Sequence, residues 1–198
     1  MTVQPLALRQ LHHHTRDTLQ RVLIEIHEFA AGTGASRSRH LLEQLGNRIR
    51  VSAEISDALF GITREPTPFL GRFHTLCHGL LSLFADAAQH LQLDISLEGT
   101  CPPELELAAL CATHEFVGNA VKHGMYMRLI GQISVLLTCC AESVELVVTD
   151  DGWGPATAPK PGQGLNIARA LAEQFCGAIS VGRRNDNTIA TIMLRTKR

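Results

Sequence analysis

Apolar or small residues recur along the first thirty positions in alternating steps of three and four, at Leu8, Leu11, Thr15, Leu19, Val22, Ile26 and Phe29. That period lines one stripe of a helix and predicts a long amphipathic helix over residues 4–31. Two glycines and several helix-capping residues interrupt the pattern over 32–38. A second helix is predicted over 38–61, with Leu42, Leu45, Ile49, Ala53 and Leu59 on one face. Two helices joined by a short turn form an antiparallel hairpin, and a hairpin cannot enclose its own stripe. Either a second copy completes a four-helix bundle, the expected homodimer, or the helices pack on the rest of the same chain.

Pro66 and Pro68 oppose helix and place a linker at 64–68, separating a hairpin domain, 1–63, from a second domain, 69–198. Beyond it the periodicity alternates. Helix is predicted over 69–91, a short strand over 94–97, and a helix opened by Pro102 and Pro103 that runs to 124. Strands are predicted at 132–138 and 144–149, then a glycine- and proline-rich loop over 150–164 and a helix over 165–175. Strands at 178–181 and 188–194 flank a turn at 185–187. The fold class this implies is α+β: a helical hairpin followed by an α/β sandwich, a mixed sheet with helices on one face.

Composition narrows the function classes. With 45% hydrophobic residues the chain can bury a real core. A formal charge of −1, from 18 basic and 19 acidic residues, argues against a nucleic-acid or anionic-membrane binder. The arginines near the end (Arg183, Arg184, Arg195, Arg198) read as a solvated terminus. No apolar run reaches the roughly 18 to 20 residues of a membrane span. With no secretory leader and no C-x-x-C pair among six cysteines, the expectation is a cytoplasmic protein with reduced thiols. Its stimulus would then arrive through a separate sensor protein or through a sensor missing from this chain. Three of the ten histidines are consecutive, His12 to His14, and no second cluster has metal-ligand spacing.

Three segments carry candidate chemistry. In His114-Glu-Phe-Val-Gly-Asn-Ala-Val-Lys-His-Gly124, helical spacing gives Glu115, Asn119, Lys122 and His123 roughly one face. A carboxylate and a carboxamide one turn apart suit a hydrated magnesium ion, and Lys122 can meet phosphate charge. Asp150-Asp-Gly-Trp-Gly154 follows a strand, where an aspartate can accept a hydrogen bond from a base amine and glycines let backbone approach a flat ligand. Gly162-Gln-Gly-Leu-Asn-Ile-Ala168 leads glycines into a helix N-terminus, which favours phosphate. Taken singly, each also reads as something ordinary: a solvated helix face, a glycine turn, a capped helix.

In this order and spacing the three segments resemble the nucleotide-binding domain shared by histidine kinases, Hsp90, type II topoisomerases and MutL, the GHKL or Bergerat fold. The resemblance covers about 69–195 and implies ATP and Mg2+ as cofactors. It would put Asn119 in the asparagine box as magnesium ligand and Glu115 beside it, helping to activate the nucleophile. Asp150, Gly152 and Gly154 would form the first glycine box, with Asp150 on adenine. Gly162 and Gly164 would form the second, and with Lys122 and His123 would lie near the phosphates.

The N-terminal hairpin indicates the branch. Leu11-His-His-His-Thr-Arg-Asp-Thr-Leu-Gln20 is similar to the phosphoacceptor signature of HisKA_2- and HWE-type kinases, and the alignment places the acceptor at His13. Helix geometry agrees. At about 100° per residue, Leu11 and Thr15 bracket the apolar stripe and His13 points nearly opposite its midpoint. A neutral imidazole is a competent nucleophile at neutral pH. Asp17 replaces the asparagine usual in this signature, and the loop over 155–161 leaves a minimal lid. The resemblance implies a two-component histidine kinase that autophosphorylates on His13 and passes the phosphoryl group to an aspartate of a response-regulator receiver domain. Two alternatives stay open. One is an ATP-independent dimeric histidine phosphotransferase relaying phosphate between receiver domains. The other is an anti-sigma-factor-like serine kinase on the same ATP fold.

Overall fold

The computed structural model describes residues 35–61, 67–153 and 163–196, together with Thr15, Val22 and Ile24. Of the helix expected over 4–31 only these three residues are described, each helical; its remainder, most of the linker and the loop over 154–162 lie outside the described residues.

Among the described residues four α-helices, α1 (Ala35–Phe60), α2 (Phe69–Phe84), α3 (Pro103–Asn119) and α4 (Gln163–Gln174), accompany five strands. The strands are β1 (His90–Glu98), β2 (Ile130–Cys140), β3 (Ser143–Asp150), β4 (Ala178–Arg184) and β5 (Asn187–Arg195), in the sheet order β1-β2-β3-β5-β4. The chain folds in the α+β class expected. Only β1 and β2 run parallel, because α3 carries the chain back between them; the remaining neighbours are antiparallel. Period-two alternation turns Ile133, Val135, Leu137 and Cys139 of β2, Val144, Leu146 and Val148 of β3, and Ile192 and Leu194 of β5 to one buried face. The helices cover that face: α3 packs on β3 and β5, and α4 on β4 and β5. Between β4 and β5, Asn185 and Asp186 both take positive φ, 50° and 66°, as a two-residue hairpin turn requires.

Two expectations need correction. Helix was expected over 69–91, but α2 ends at Phe84 and β1 already begins at His90. Ala85 is extended, and Asp86 and Gln89 close a turn through Gln89 N–H to Asp86 O (2.9 Å) and Asp86 N–H to Gln89 Oε1 (2.8 Å). Leu91 fits either period. Its pairing with Gly131 on β2 makes it the first of the partly buried row Leu91, Leu93, Ile95 and Leu97.

The second correction concerns α1. Leu59 is fully buried with Val51, Ile55 and Ala58, whereas Leu42, Ile49 and Ala53 stay exposed. At about 100° per residue these groups lie nearly half a turn apart, so the helix carries two apolar stripes rather than one. The stripe with Leu59 belongs to the same core as Phe73, Leu76 and Leu80 of α2. Arg72 of α2 caps the end of α1, donating from Nε to Ala58 O (2.8 Å) and from Nη2 to Leu59 O (3.0 Å). Its Nη1 lies 3.5 Å from Glu106 on α3. The C-terminal half of α1 is thus built into the core of the sheet-and-helix unit.

All six cysteines are unpaired. Burial pushes the Cys77 and Cys111 thiols up to about 12.

Candidate nucleotide site

The alternation that points Val144, Leu146 and Val148 inward also points Asp150 inward, so an apolar row ends in a carboxylate that is only 5% exposed. Burial raises its pKa above the usual aspartate value, and the Gly152 N–H, donating to Oδ1 at 3.0 Å, works in the opposite direction. Two glycines make room there. A Cβ at Gly124 would overlap Asp150 Oδ1, and one at Gly152 would overlap the Gly124 carbonyl. Trp153 N–H donates to that carbonyl at 3.2 Å, which ties the loop after β3 to the end of the α3 segment.

That segment does not run on as α-helix. From Ala120 to Gly124 it widens to a π-helical turn, closed by Met125 N–H to Ala120 O at 2.9 Å. One residue more per turn takes Lys122 and His123 off the face that an unbroken α-helix would give them. The single polar face expected from helical spacing is therefore divided. Glu115 is buried, Asn119 is half-buried, Lys122 places its ammonium 4.1 Å over the Phe84 ring, and His123 is exposed. Desolvation, and then the charge of Lys122, hold His123 below the ordinary histidine pKa.

Glu115 meets the second glycine segment. Its Oε1 lies 3.3 Å from His114 Nδ1, and a Cβ at Gly164, in the first turn of α4, would overlap its Oε2. Asp150 with Gly124 and Gly152, and Glu115 with Gly164, thus bring the ends of α3, β3 and α4 together. His13, Gly154 and Gly162 lie outside the described residues.

Several residues that the sequence did not single out brace the site. Asp151 points away from Asp150; its Oδ1 accepts the Gln132 N–H at 2.8 Å and its own N–H donates to Gln132 O at 3.2 Å. Arg128 donates to the Asp151 carbonyl, lies 3.3 Å from its Oδ2 and sits 5.5 Å from the Trp153 ring. Gln89 Nε2 donates to Met125 O (2.7 Å) and Arg128 O (2.8 Å). Arg183, expected only to solvate the terminus, donates to the carbonyls of Trp153 and Asp186. Nothing local in the sequence marks Arg128 or Arg183, because their partners are brought to them by the sheet.

The arrangement suits a flat heterocycle with an exocyclic amine. Asp150 is a buried acceptor with space beside it that any side chain at 124 or 152 would fill. Asn119 offers a carboxamide oxygen to a hard cation, whereas Glu115 is already engaged with His114 and α4.

No protein-family model and no curated protein matches the chain. Solved structures do. The histidine kinase domain of a blue-light-activated histidine kinase from Erythrobacter litoralis superposes with a TM-score of 0.59 at 16% identity, covering 98% of this chain and 93% of that one. A longer chain of that kinase gives 0.58 at 16% identity over 94% of this chain, which spans 59% of its length. A bacterial phosphotransferase gives 0.55 at 11% identity, over 96% of this chain and 95% of that one. The fold is that of a histidine kinase core. Among the described residues no helix is long and apolar enough to cross a membrane.

Proposed function

We propose that the chain is a two-component histidine kinase of the HisKA_2/HWE type that binds ATP with Mg2+, phosphorylates its own His13 and passes the phosphoryl group to a receiver-domain aspartate of a response regulator. The observation that carries this reading is Asp150, a buried carboxylate ending an apolar strand in a recess cleared by Gly124 and Gly152. A buried carboxylate is costly unless it is well satisfied, and beyond the Gly152 amide a base amine is a partner that this recess fits.

On this reading the unit 69–198 is the catalytic domain and 1–63 the dimerisation and phosphotransfer hairpin of a cytoplasmic homodimer that answers to a separate sensor. Asp150, with Gly152 and Gly154, holds the base. Asn119 holds the metal, Lys122, His123, Gly162 and Gly164 flank the phosphates, and Glu115 assists the neutral imidazole of His13. Bound ATP and magnesium supply the phosphoryl group and neutralise its charge, and the chain contributes mainly positioning. With radiolabelled ATP and magnesium, the chain acquires an acid-labile label that is lost in His13→Gln and in Asn119→Asp. A chain that binds ATP tightly and never labels refutes the reading.

A second reading is an ATP-independent histidine phosphotransferase. It is favoured by the Lys122 ammonium resting on Phe84 rather than standing free, and by the likeness over nearly full length to a bacterial phosphotransferase. Titration separates the two. Saturation by Mg-ATP at sub-millimolar concentration supports the kinase, and no binding supports the relay.

A further inference from the structure

Glu115 and His114 are sequence neighbours on α3, and neighbours on a helix point about 100° apart and do not ordinarily meet. Here they do, at 3.3 Å, with both side chains buried, His114 at 2% and Glu115 at 4% exposure. Tertiary packing, not adjacency, therefore forces the contact. We propose that His114 is a positioning residue for Glu115, holding one carboxylate oxygen so that the other stays at the first turn of α4 beside Gly164. The proposal rests on the kinase reading, in which Glu115 assists the attacking histidine.

In the kinase reading Glu115 acts as an ionised carboxylate, which only accepts hydrogen bonds, so on that reading the His114 Nδ1 facing it carries the proton and the ring keeps one tautomer. With Oε1 held in this way, Oε2 occupies the space that a Cβ at residue 164 would need. Gly164 is thus the counterpart of the pair: the α4 backbone comes close enough to touch the carboxylate only because residue 164 has no side chain. Without the imidazole, the carboxylate loses a buried donor and can turn away from α4. The base-binding recess is on β3 and at Gly124, so Asp150 keeps its surroundings. His114 is accordingly expected to affect the rate of phosphorylation and not the grip on nucleotide.

The test compares His114→Phe, which fills the space without a donor, with His114→Asn, whose amide nitrogen falls near the position of Nδ1, and His114→Gln, whose amide reaches past it. The readouts are the initial rate of acid-labile labelling at saturating Mg-ATP and the ATP concentration for half-saturation. The expected result is a roughly 10- to 100-fold lower saturating rate for His114→Phe, the scale of a misplaced catalytic group, with half-saturation within about threefold. His114→Asn recovers most of the rate and His114→Gln does not. Equal rates for Asn and Gln, or a loss that lies in half-saturation, overturn the proposal, and this contrast holds even if His114→Phe fails to fold. If the wild-type chain never labels, the kinase reading falls by itself, and nitrogen NMR of the His114 ring decides the pairing. A fixed Nδ1–H tautomer that becomes mixed in Glu115→Leu supports it, and a tautomer indifferent to that substitution overturns it.

Discussion

Asp150 is a carboxylate at a position where the strand pattern calls for an apolar side chain, and that conflict has measurable consequences. Because its folded pKa is raised by burial, the native state binds more protons than the unfolded chain between the ordinary aspartate range and the raised value. Stability therefore falls as pH rises through that window, and the cost stays in place at neutral pH. Asp150→Asn keeps an oxygen for the Gly152 amide and removes the charge. Its melting temperature is expected to equal or exceed that of the wild type at pH 7, with the difference closing toward pH 4, as thermal melts across pH would show. On the proposed reading, the same substitution is expected to weaken Mg-ATP binding about 10- to 100-fold, the worth of one hydrogen bond to a charged group, which calorimetric titration checks. The thiols divide in the same way. Cys140 and Cys176 are exposed, while Cys77 and Cys111 are buried with pKa values pushed to about 12. An alkylating reagent at pH 8 is expected to modify the exposed pair in the folded protein and to reach Cys77 and Cys111 only after denaturation.

At the scale of elements, α1 has two apolar stripes with separate roles. Ile55 is fully buried against the core that α2 shares, and Ile49 is 56% exposed on the other stripe. Ile55→Ala is expected to cost about 2–5 kcal/mol in urea denaturation, as large-to-small changes in cores do. Ile49→Ala is expected to stay within about 0.5 kcal/mol in the monomer. If the outer stripe pairs with a second copy in the hairpin bundle, Ile49→Ala instead shifts the dimer dissociation constant, which sedimentation measures. The α3 segment shows how a local irregularity serves a site. Its π-helical turn brings the Gly124 carbonyl to Trp153 N–H and Gly124 itself against Asp150. The motif around Asn119 was readable as a helix with chemistry on it. The widening after Ala120 was not, because five-residue closure leaves no mark in hydrophobic period.

At the scale of the whole molecule, Val51, Ile55, Ala58 and Leu59 make α1 part of the core, although the prolines at 66 and 68 read as a boundary. A fragment 35–198 is expected to fold, whereas a fragment 67–198 uncovers the α2 surface those residues cover. Val51, Ile55 and Leu59 each contribute about 1.5–3 kcal/mol when buried, so the shorter fragment should melt at lower temperature and bind a hydrophobic dye, as fluorescence and light scattering would show.

What the amino-acid order determined by itself was local. Five strands, the helices between them, the turn at Asn185 and Asp186, and the succession Asn119, Asp150, Gly164 all follow from period, turn chemistry and motif order. Leu91 shows the limit, since one leucine fits both the end of a helix and the start of a strand until β2 lies beside it. Tertiary structure alone decided that Gly124 lies against Asp150 and Gly164 against Glu115, and that Lys122 rests on Phe84. It also decided that Arg128 and Arg183 brace the loop carrying Trp153. The physical reason is that period and propensity are set by near neighbours along the chain. These contacts join residues distant in sequence, and they exist only once sheet order and helix packing have closed the loops between them.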